Sequence, residues 1–195
     1  ISIGDRQVGG LPASDMAQRV FLVHQDPLMG TAPKLTLFEN LLVADHQAQI
    51  DGMSKGALAA KYQDLLRPLG LADRIRQLAK YFSGGERQMI ALLIAQLRPS
   101  SVMLLDEPLA ALDPAKAEFC SDLIRKLHQD GRTIVQVTHD PALAIRGGDR
   151  TIVLRDGKKV YDQAGPARNL SDLATLWSSQ PGIPQPSESG TKGAS

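Results

Sequence analysis

Four apolar residues in succession, Val102-Met103-Leu104-Leu105, run straight into Asp106-Glu107-Pro108, and this junction narrows the fold more than any other stretch. A strand with one wet face alternates apolar and polar residues, whereas an unbroken apolar run marks a strand covered on both faces, as in a parallel sheet. Thr133-Ile134-Val135-Gln136-Val137 reads as a second buried strand. Arg19-Val20-Phe21-Leu22-Val23-His24 is a compact β-rich run that stops at Gln25-Asp26-Pro27, where proline disfavours continuation. Helical patterns lie between these runs. One opens at Ser83-Gly84-Gly85-Glu86 and carries Met89, Leu92, Leu93 and Leu97 before Pro99 ends it. Another follows Asp113, with Pro114 suited to the first turn. Strand and helix in alternation predict an α/β fold, a mostly parallel sheet flanked by helices.

Residues 36–78 break that alternation. Leu37, Asn40, Leu41 and Ala44 fall at helix spacing, as do Leu58, Tyr62, Leu65, Leu66 and Leu69, with Gly70 as a helix end. The reading is an inserted helical subdomain at about residues 29–98. Residues 1–10 read as a short strand and turn, followed by a polar connection to Leu11-Pro12. After the last buried strand come a short helix around Ala142, a strand from Arg150 and a hairpin turn at Asp156-Gly157. The folded domain is expected to span residues 1–179. Residues 180–195, rich in Pro, Gly and Ser, read as a disordered tail.

Charge excludes more than it suggests. Lys and Arg number 22 against 21 Asp and Glu, so no global imbalance points to nucleic acid or to an anionic surface. No apolar run approaches the roughly 18 residues of a membrane span. The lone Cys120 rules out an internal disulfide and reads as a small packing residue. The chain opens with Ile-Ser-Ile-Gly-Asp and shows no signal-peptide pattern.

Chemistry concentrates at five places, each with a bland reading beside the functional one. Asp106 and Glu107 sit where ligands of parallel sheets bind, beyond a strand's C-terminal end. The first suits a Mg²⁺ ion and the second a general base, but two solvated charges at a strand end are as ordinary. Ser83, Gly84, Gly85 and Glu86 open a helix whose free N–H groups suit a phosphate; taken alone, an ordinary capping arrangement is the readier explanation. His139, in Thr138-His139-Asp140, suits a phosphate contact or a plain turn. Gln25 suits a metal or water contact, or simple solvation. Asp113 reads first as a helix N-cap.

Taken in order, Gln25, a helical insert, Phe82-Ser83-Gly84-Gly85-Glu86-Arg87-Gln88, Leu104-Leu105-Asp106-Glu107-Pro108, Ala111-Leu112-Asp113-Pro114 and Thr138-His139-Asp140 resemble the ABC ATPase family over about residues 1–165. The resemblance implies a P-loop NTPase-like fold and an ATP-hydrolysing subunit of a membrane transporter, peripheral on the cytoplasmic side of the cell membrane. Its cofactors are ATP and Mg²⁺. Its partners are transmembrane permease subunits, a second ATPase subunit bound head to tail and, indirectly, a periplasmic or extracellular solute-binding protein; no nucleic acid is implied. By position, Gln25 matches the Q-loop glutamine, and residues 83–86 the signature motif, with Phe82 for the usual Leu and Glu86 for the usual Gln. Asp106 matches the Walker B acid, Glu107 the catalytic glutamate, Asp113 the D-loop aspartate and His139 the switch histidine. Gln25-Asp26-Pro27-Leu28-Met29-Gly30-Thr31-Ala32-Pro33 and residues 86–93 further resemble a bacterial importer group linked to aromatic amino acids, although Pro108-Leu109 departs from its pattern.

One family element is missing. No G-x-x-x-x-G-K-[ST] phosphate loop occurs in the 195 residues. The expectation is a chain truncated ahead of the Q-loop and inactive alone, whose parent carries the loop. Two alternatives stand beside it. One is a non-transport ABC protein acting on ribosomes or chromosomes, and the other a non-catalytic subunit that lends its signature motif to a partner.

Overall fold

A computed structural model describes residues 1–165 of the chain; the tail expected at residues 180–195 lies outside them. The chain divides into two compact units, the first from Ile1 to Val137 and the second from Thr138 onward.

The first unit opens with a small antiparallel hairpin, β1 (Ser2–Ile3) and β2 (Arg6–Gln7). A short helix, α1 (Ala13–Arg19), follows where a polar connection is expected. It buries no residue and has no side-chain cap, so neither an apolar stripe nor a cap marks it in the sequence. The parallel sheet consists of β3 (Val20–Val23), β4 (Val102–Asp106) and β5 (Thr133–Val137), in the order β3-β4-β5. Val23 pairs with Leu105, and Asp106 pairs with Val137.

Between β3 and β4 the chain forms α2 (Leu37–Ala44), α3 (His46–Ile50), α4 (Lys55–Leu66), three single 3₁₀ turns and α5 (Gly84–Leu97). Of the helix-spaced residues, Leu37, Asn40, Leu41 and Ala44 on α2 and Leu58, Tyr62 and Leu66 on α4 are buried, while Leu65 and Leu69 are half-buried. The buried residues among them other than Asn40 join Ile90 and Leu93 of α5 in one apolar core. Gly70 ends the first 3₁₀ turn at φ 67°, a left-handed conformation that glycine adopts without a Cβ clash. Helix α6 (Pro114–Gln129) links β4 to β5.

Burial of the sheet corrects the expectation of strands covered on both faces. On β4, Met103 and Leu105 are buried while Val102 and Leu104 are half-buried. On β5, Val135 is 51% and Val137 57% exposed. Residues pairing across the strands share a face, so Leu22, Leu104 and Val135 form one apolar row that is not fully covered. An unbroken apolar run therefore does not distinguish a strand covered twice from one covered once.

The second unit contains α7 (Pro141–Gly147) and an antiparallel hairpin of β6 (Arg150–Arg155) and β7 (Lys158–Ala164). Asp156 and Gly157 both take positive φ, 50° and 72°, as the two-residue turn requires.

Candidate phosphate site at the sheet edge and the start of helix α5

Parallel strands bring their C-terminal ends to one edge, and the sheet register fixes what stands there. Gln25 lies two residues beyond Val23, and Glu107 two residues beyond its partner Leu105, so Gln25, Asp106 and Glu107 line the same edge. Gln25 is exposed; both acids are half-buried. Glu107 takes φ 49°, one of two positive values among the described non-glycine residues. A side chain in the left-handed region costs on the order of 1–2 kcal/mol. The surrounding bonds hold it there: its N–H donates to the Val137 carbonyl at 3.0 Å, and its own carbonyl accepts from Ala110 N–H at 3.3 Å. The turn directs the chain off the strand at an acid, where strain of this kind gathers at functional sites.

Helix α5 begins with both of its sequence readings satisfied at once. The Ser83 hydroxyl oxygen accepts from Glu86 N–H at 3.2 Å, and a Glu86 carboxylate oxygen accepts from Ser83 N–H at 2.7 Å, a reciprocal capping box. Ser83 itself stays exposed. The box occupies its oxygen as an acceptor and leaves the hydroxyl proton for an incoming anion. Burial raises the Glu86 carboxyl, but the Ser83 N–H and the Arg74 guanidinium outweigh that and hold it below its ordinary value.

The two glycines differ. A Cβ on Gly85 would stand 3.0 Å from the Ala111 carbonyl oxygen and 3.4 Å from Leu112 Cδ2. Gly85 is thus a packing glycine, which lets the helix start lie against the loop leading to Asp113. Gly84 meets nothing within 4 Å and has no positive φ. Neither packing nor backbone conformation requires it, and in a helix glycine costs about 1 kcal/mol against alanine. Asp113 caps α6, accepting from Lys116 N–H at 3.0 Å, and its carboxylate meets Lys116 Nζ at 2.6 Å. The Lys116 side chain and then its N–H hold the Asp113 carboxyl below the ordinary carboxylate range.

Three further residues shape the segments around these positions, and none of them is a site candidate in the sequence. Gly30, in the turn after Gln25, lies so close to α5 that a Cβ would stand 2.6 Å from Ala91 Cβ. Asn40, buried at 6% exposure, accepts from Ala32 N–H at 2.7 Å and donates to the Ala32, Leu35 and Thr36 carbonyls. It fastens the loop after Gln25 to α2. Arg132 donates to the Ala95 and Gln96 carbonyls at 2.7 and 2.8 Å, closing the far end of α5. For Asn40 only its place in an apolar helix stripe hints at a special role.

His139 belongs to the second unit. It is exposed, in a turn where Thr138 Oγ1 accepts from Asp140 N–H at 3.0 Å and Asp140 caps α7 by accepting from Ala142 N–H at 2.8 Å. Among the described residues no cluster of three or more His, Cys, Asp or Glu side chains is placed to hold a metal. Mg²⁺ needs none, since it commonly takes one or two carboxylates and completes its shell with water and phosphate oxygens. Asp106 and the Gln25 amide oxygen are donors of that hard kind on one sheet edge.

Comparison with known proteins points the same way. The family model described as ABC transporter matches residues 1–110. The chain is 34% identical over 132 residues to the macrolide export ATP-binding/permease protein MacB of Hahella chejuensis, covering 68% of this chain and 20% of that one. It is 33% identical over 133 residues to the uncharacterized ABC transporter ATP-binding protein YvrO of Bacillus subtilis, covering 68% and 56%. It is also 33% identical over 168 residues to the tyrosine transport ATP-binding protein of Clostridioides difficile, covering 83% and 66%. The chain thus spans from a fifth to about two thirds of these relatives. Among solved structures, the dimeric post-hydrolysis state of the ATP-binding cassette MJ0796, bound to ADP and Pi, matches with TM-score 0.68 and 27% identity over 83% of this chain and 71% of that one. The fold is therefore P-loop NTPase-like, and the chain belongs to the ABC transporter family, among its ATP-binding subunits.

Proposed function

We propose that the chain is the signature-bearing part of an ATPase that powers a membrane transporter, working in a pair in which two copies face head to tail. Ser83, Gly84 and the N–H groups of the first turn of α5 grip the γ-phosphate of an ATP held mainly by the partner copy. Asp106, with Gln25, would hold a Mg²⁺ ion, which would supply positive charge to the phosphate oxygens. Glu107 accepts a proton from the attacking water, His139 donates toward the γ-phosphate, and Asp113 steadies the pair at the dimer contact. Residues 29–98 act as a helical lever: the loop after Gln25, fastened to α5 at Gly30 and to α2 by Asn40, carries the state of the nucleotide to a permease docked near residues 25–36. This places the protein at the cytoplasmic face of a membrane.

The observation that carries the reading is the open first turn of α5. Gly84 is a glycine with no structural demand on it, beside an exposed Ser83 at the positive end of a fourteen-residue helix. ATP cannot be cradled by these 195 residues alone, which lack a phosphate loop, so the isolated chain is expected to show no turnover. Transport of an amino-acid-like solute is supported by the similarity to a tyrosine transport ATP-binding protein over 83% of the chain, and import is the direction we propose for it.

The test is Glu107→Gln in the protein expressed from its complete reading frame. ATP hydrolysis is expected to fall at least about a hundredfold, on the scale of losing a general base, while ATP binding survives and dimers accumulate. Unchanged turnover would remove Glu107 from the mechanism.

A further inference from the structure

Glu86 places a carboxylate in the first turn of the helix that is to receive a phosphate, where its charge would repel the ligand. The structure answers that charge chiefly with one side chain, Arg74, while Lys116 adds a weaker attraction without a direct contact. Arg74, at the end of the 3₁₀ turn Ala72–Arg74, forms an ion pair with a Glu86 carboxylate oxygen through one guanidinium nitrogen. Its Nε donates to the Gln77 amide oxygen at 2.9 Å. Its guanidinium also lies 4.3 Å from the centroid of the Phe82 ring, and that ring is buried at 3% exposure. The remaining terminal nitrogen is 3.5 Å from the Tyr81 carbonyl, so the guanidinium is engaged on several sides within the segment 74–86.

Phe82 and Glu86 are the two positions at which this chain departs from the usual signature residues, and Arg74 touches both. We propose that Arg74 is a positioning residue for the signature turn: held against the Phe82 ring, it neutralises Glu86, so that Ser83 and Gly84 present a net positive end to the phosphate. The proposal rests on the proposed function and adds a residue to it. Two features argue that the contact is more than surface pairing. Both charged side chains are largely covered, at 35% and 20% exposure, which weakens solvent screening. The guanidinium is also fixed by four groups, so little freedom is lost for each bond. Glu86 cannot turn away to water, because its other oxygen holds Ser83 N–H at 2.7 Å. Removing Arg74 would therefore leave the carboxylate fixed beside the ligand without its direct ion pair.

The experiment is a double-mutant cycle with R74M and E86Q in the protein expressed from its complete reading frame, read as the KM for ATP, kcat and thermal stability. With Glu86 present, R74M is expected to raise the KM at least about tenfold, the weight of one charge-assisted contact, and to change kcat less. In the E86Q background, R74M is expected to change the KM less than about threefold relative to E86Q alone, since no carboxylate is then left to neutralise. An equal loss in both backgrounds overturns the proposal, because Arg74 would then act on the ligand directly or through shape. If the wild-type protein shows no response to ATP, the proposed function fails; the phosphate role of Arg74 falls with it, whatever coupling the stability measurements show. A response to ATP with no change on R74M overturns the inference and leaves the proposed function standing.

Discussion

Gly84 and Gly85 are neighbours of one type held for two different reasons, and single substitutions separate them. Gly85→Ala pushes a methyl against the Ala111 carbonyl, a backbone group with little room to yield, and is expected to destabilise the fold by about 1–3 kcal/mol. Gly84→Ala meets open space and is expected to stabilise by up to about 1 kcal/mol, while ATP-dependent pairing weakens. Chemical denaturation alongside sedimentation in the presence of ATP measures both. Cys120 illustrates the structural extreme. It is fully buried on α6, and burial pushes its thiol up to about 11. A thiol pKa raised in the folded state contributes stability below the unfolded value near 9 and loses it as pH rises toward 11. At pH 8 Cys120 is accordingly expected to resist alkylation until denaturant unfolds the chain; rapid labelling of the native protein would contradict its burial. The types at 83–86 and 106–107 announced chemistry from the sequence alone. Spacing could not divide the glycines, since their difference lies in a loop some 25 residues further along the chain.

Helix α5 carries the proposed phosphate site at its first turn, and an arginine from elsewhere in the chain holds each end. Arg74 grips the first turn, and Arg132 donates to the last-turn carbonyls of Ala95 and Gln96. Carbonyls at a helix C-terminus have no intrahelical donors, so Arg132→Met is expected to cost about 2–4 kcal/mol, measured by urea unfolding. A second tie holds α3 to α4. Asp45 caps α3, is 1% exposed, and meets Lys61 Nζ at 2.6 Å. Burial raises its carboxyl, but the Lys61 ammonium and the Ala48 N–H prevail and hold it below the ordinary range. A carboxyl depressed in the folded state contributes stability above its unfolded value near 3.8 and loses it as pH falls through the folded value. Unfolding curves between pH 6 and 2 should show that loss, and Asp45→Asn should flatten it. Helices α2 and α4 were legible because their apolar residues recur every three or four positions. Helix α1 was not, having no buried residue to set a period, and neither arginine tie was, because each joins segments that only folding brings together.

Across the whole molecule, the order of the motifs carried more than any one of them. Each of Gln25, Ser83, Asp106, Glu107, Asp113 and His139 has a commonplace explanation alone, and several of those explanations hold in the structure: Ser83 and Asp113 are caps. The capping geometry does not compete with phosphate binding, since it uses the Ser83 oxygen and leaves its proton. The sheet was legible as parallel, but not as half-covered, because burial depends on what lies above a strand as well as on its residues. The central claim is that a working site takes Glu107 from one copy and Ser83 from the other. Mixing two inactive variants of the protein from its complete reading frame, Ser83→Arg and Glu107→Gln, tests it most directly. Mixed pairs would contain one site with both wild-type groups, so ATP turnover is predicted to return on mixing although neither variant turns over alone. Failure to recover turnover at any ratio, with mixed pairs shown to form, would contradict the account.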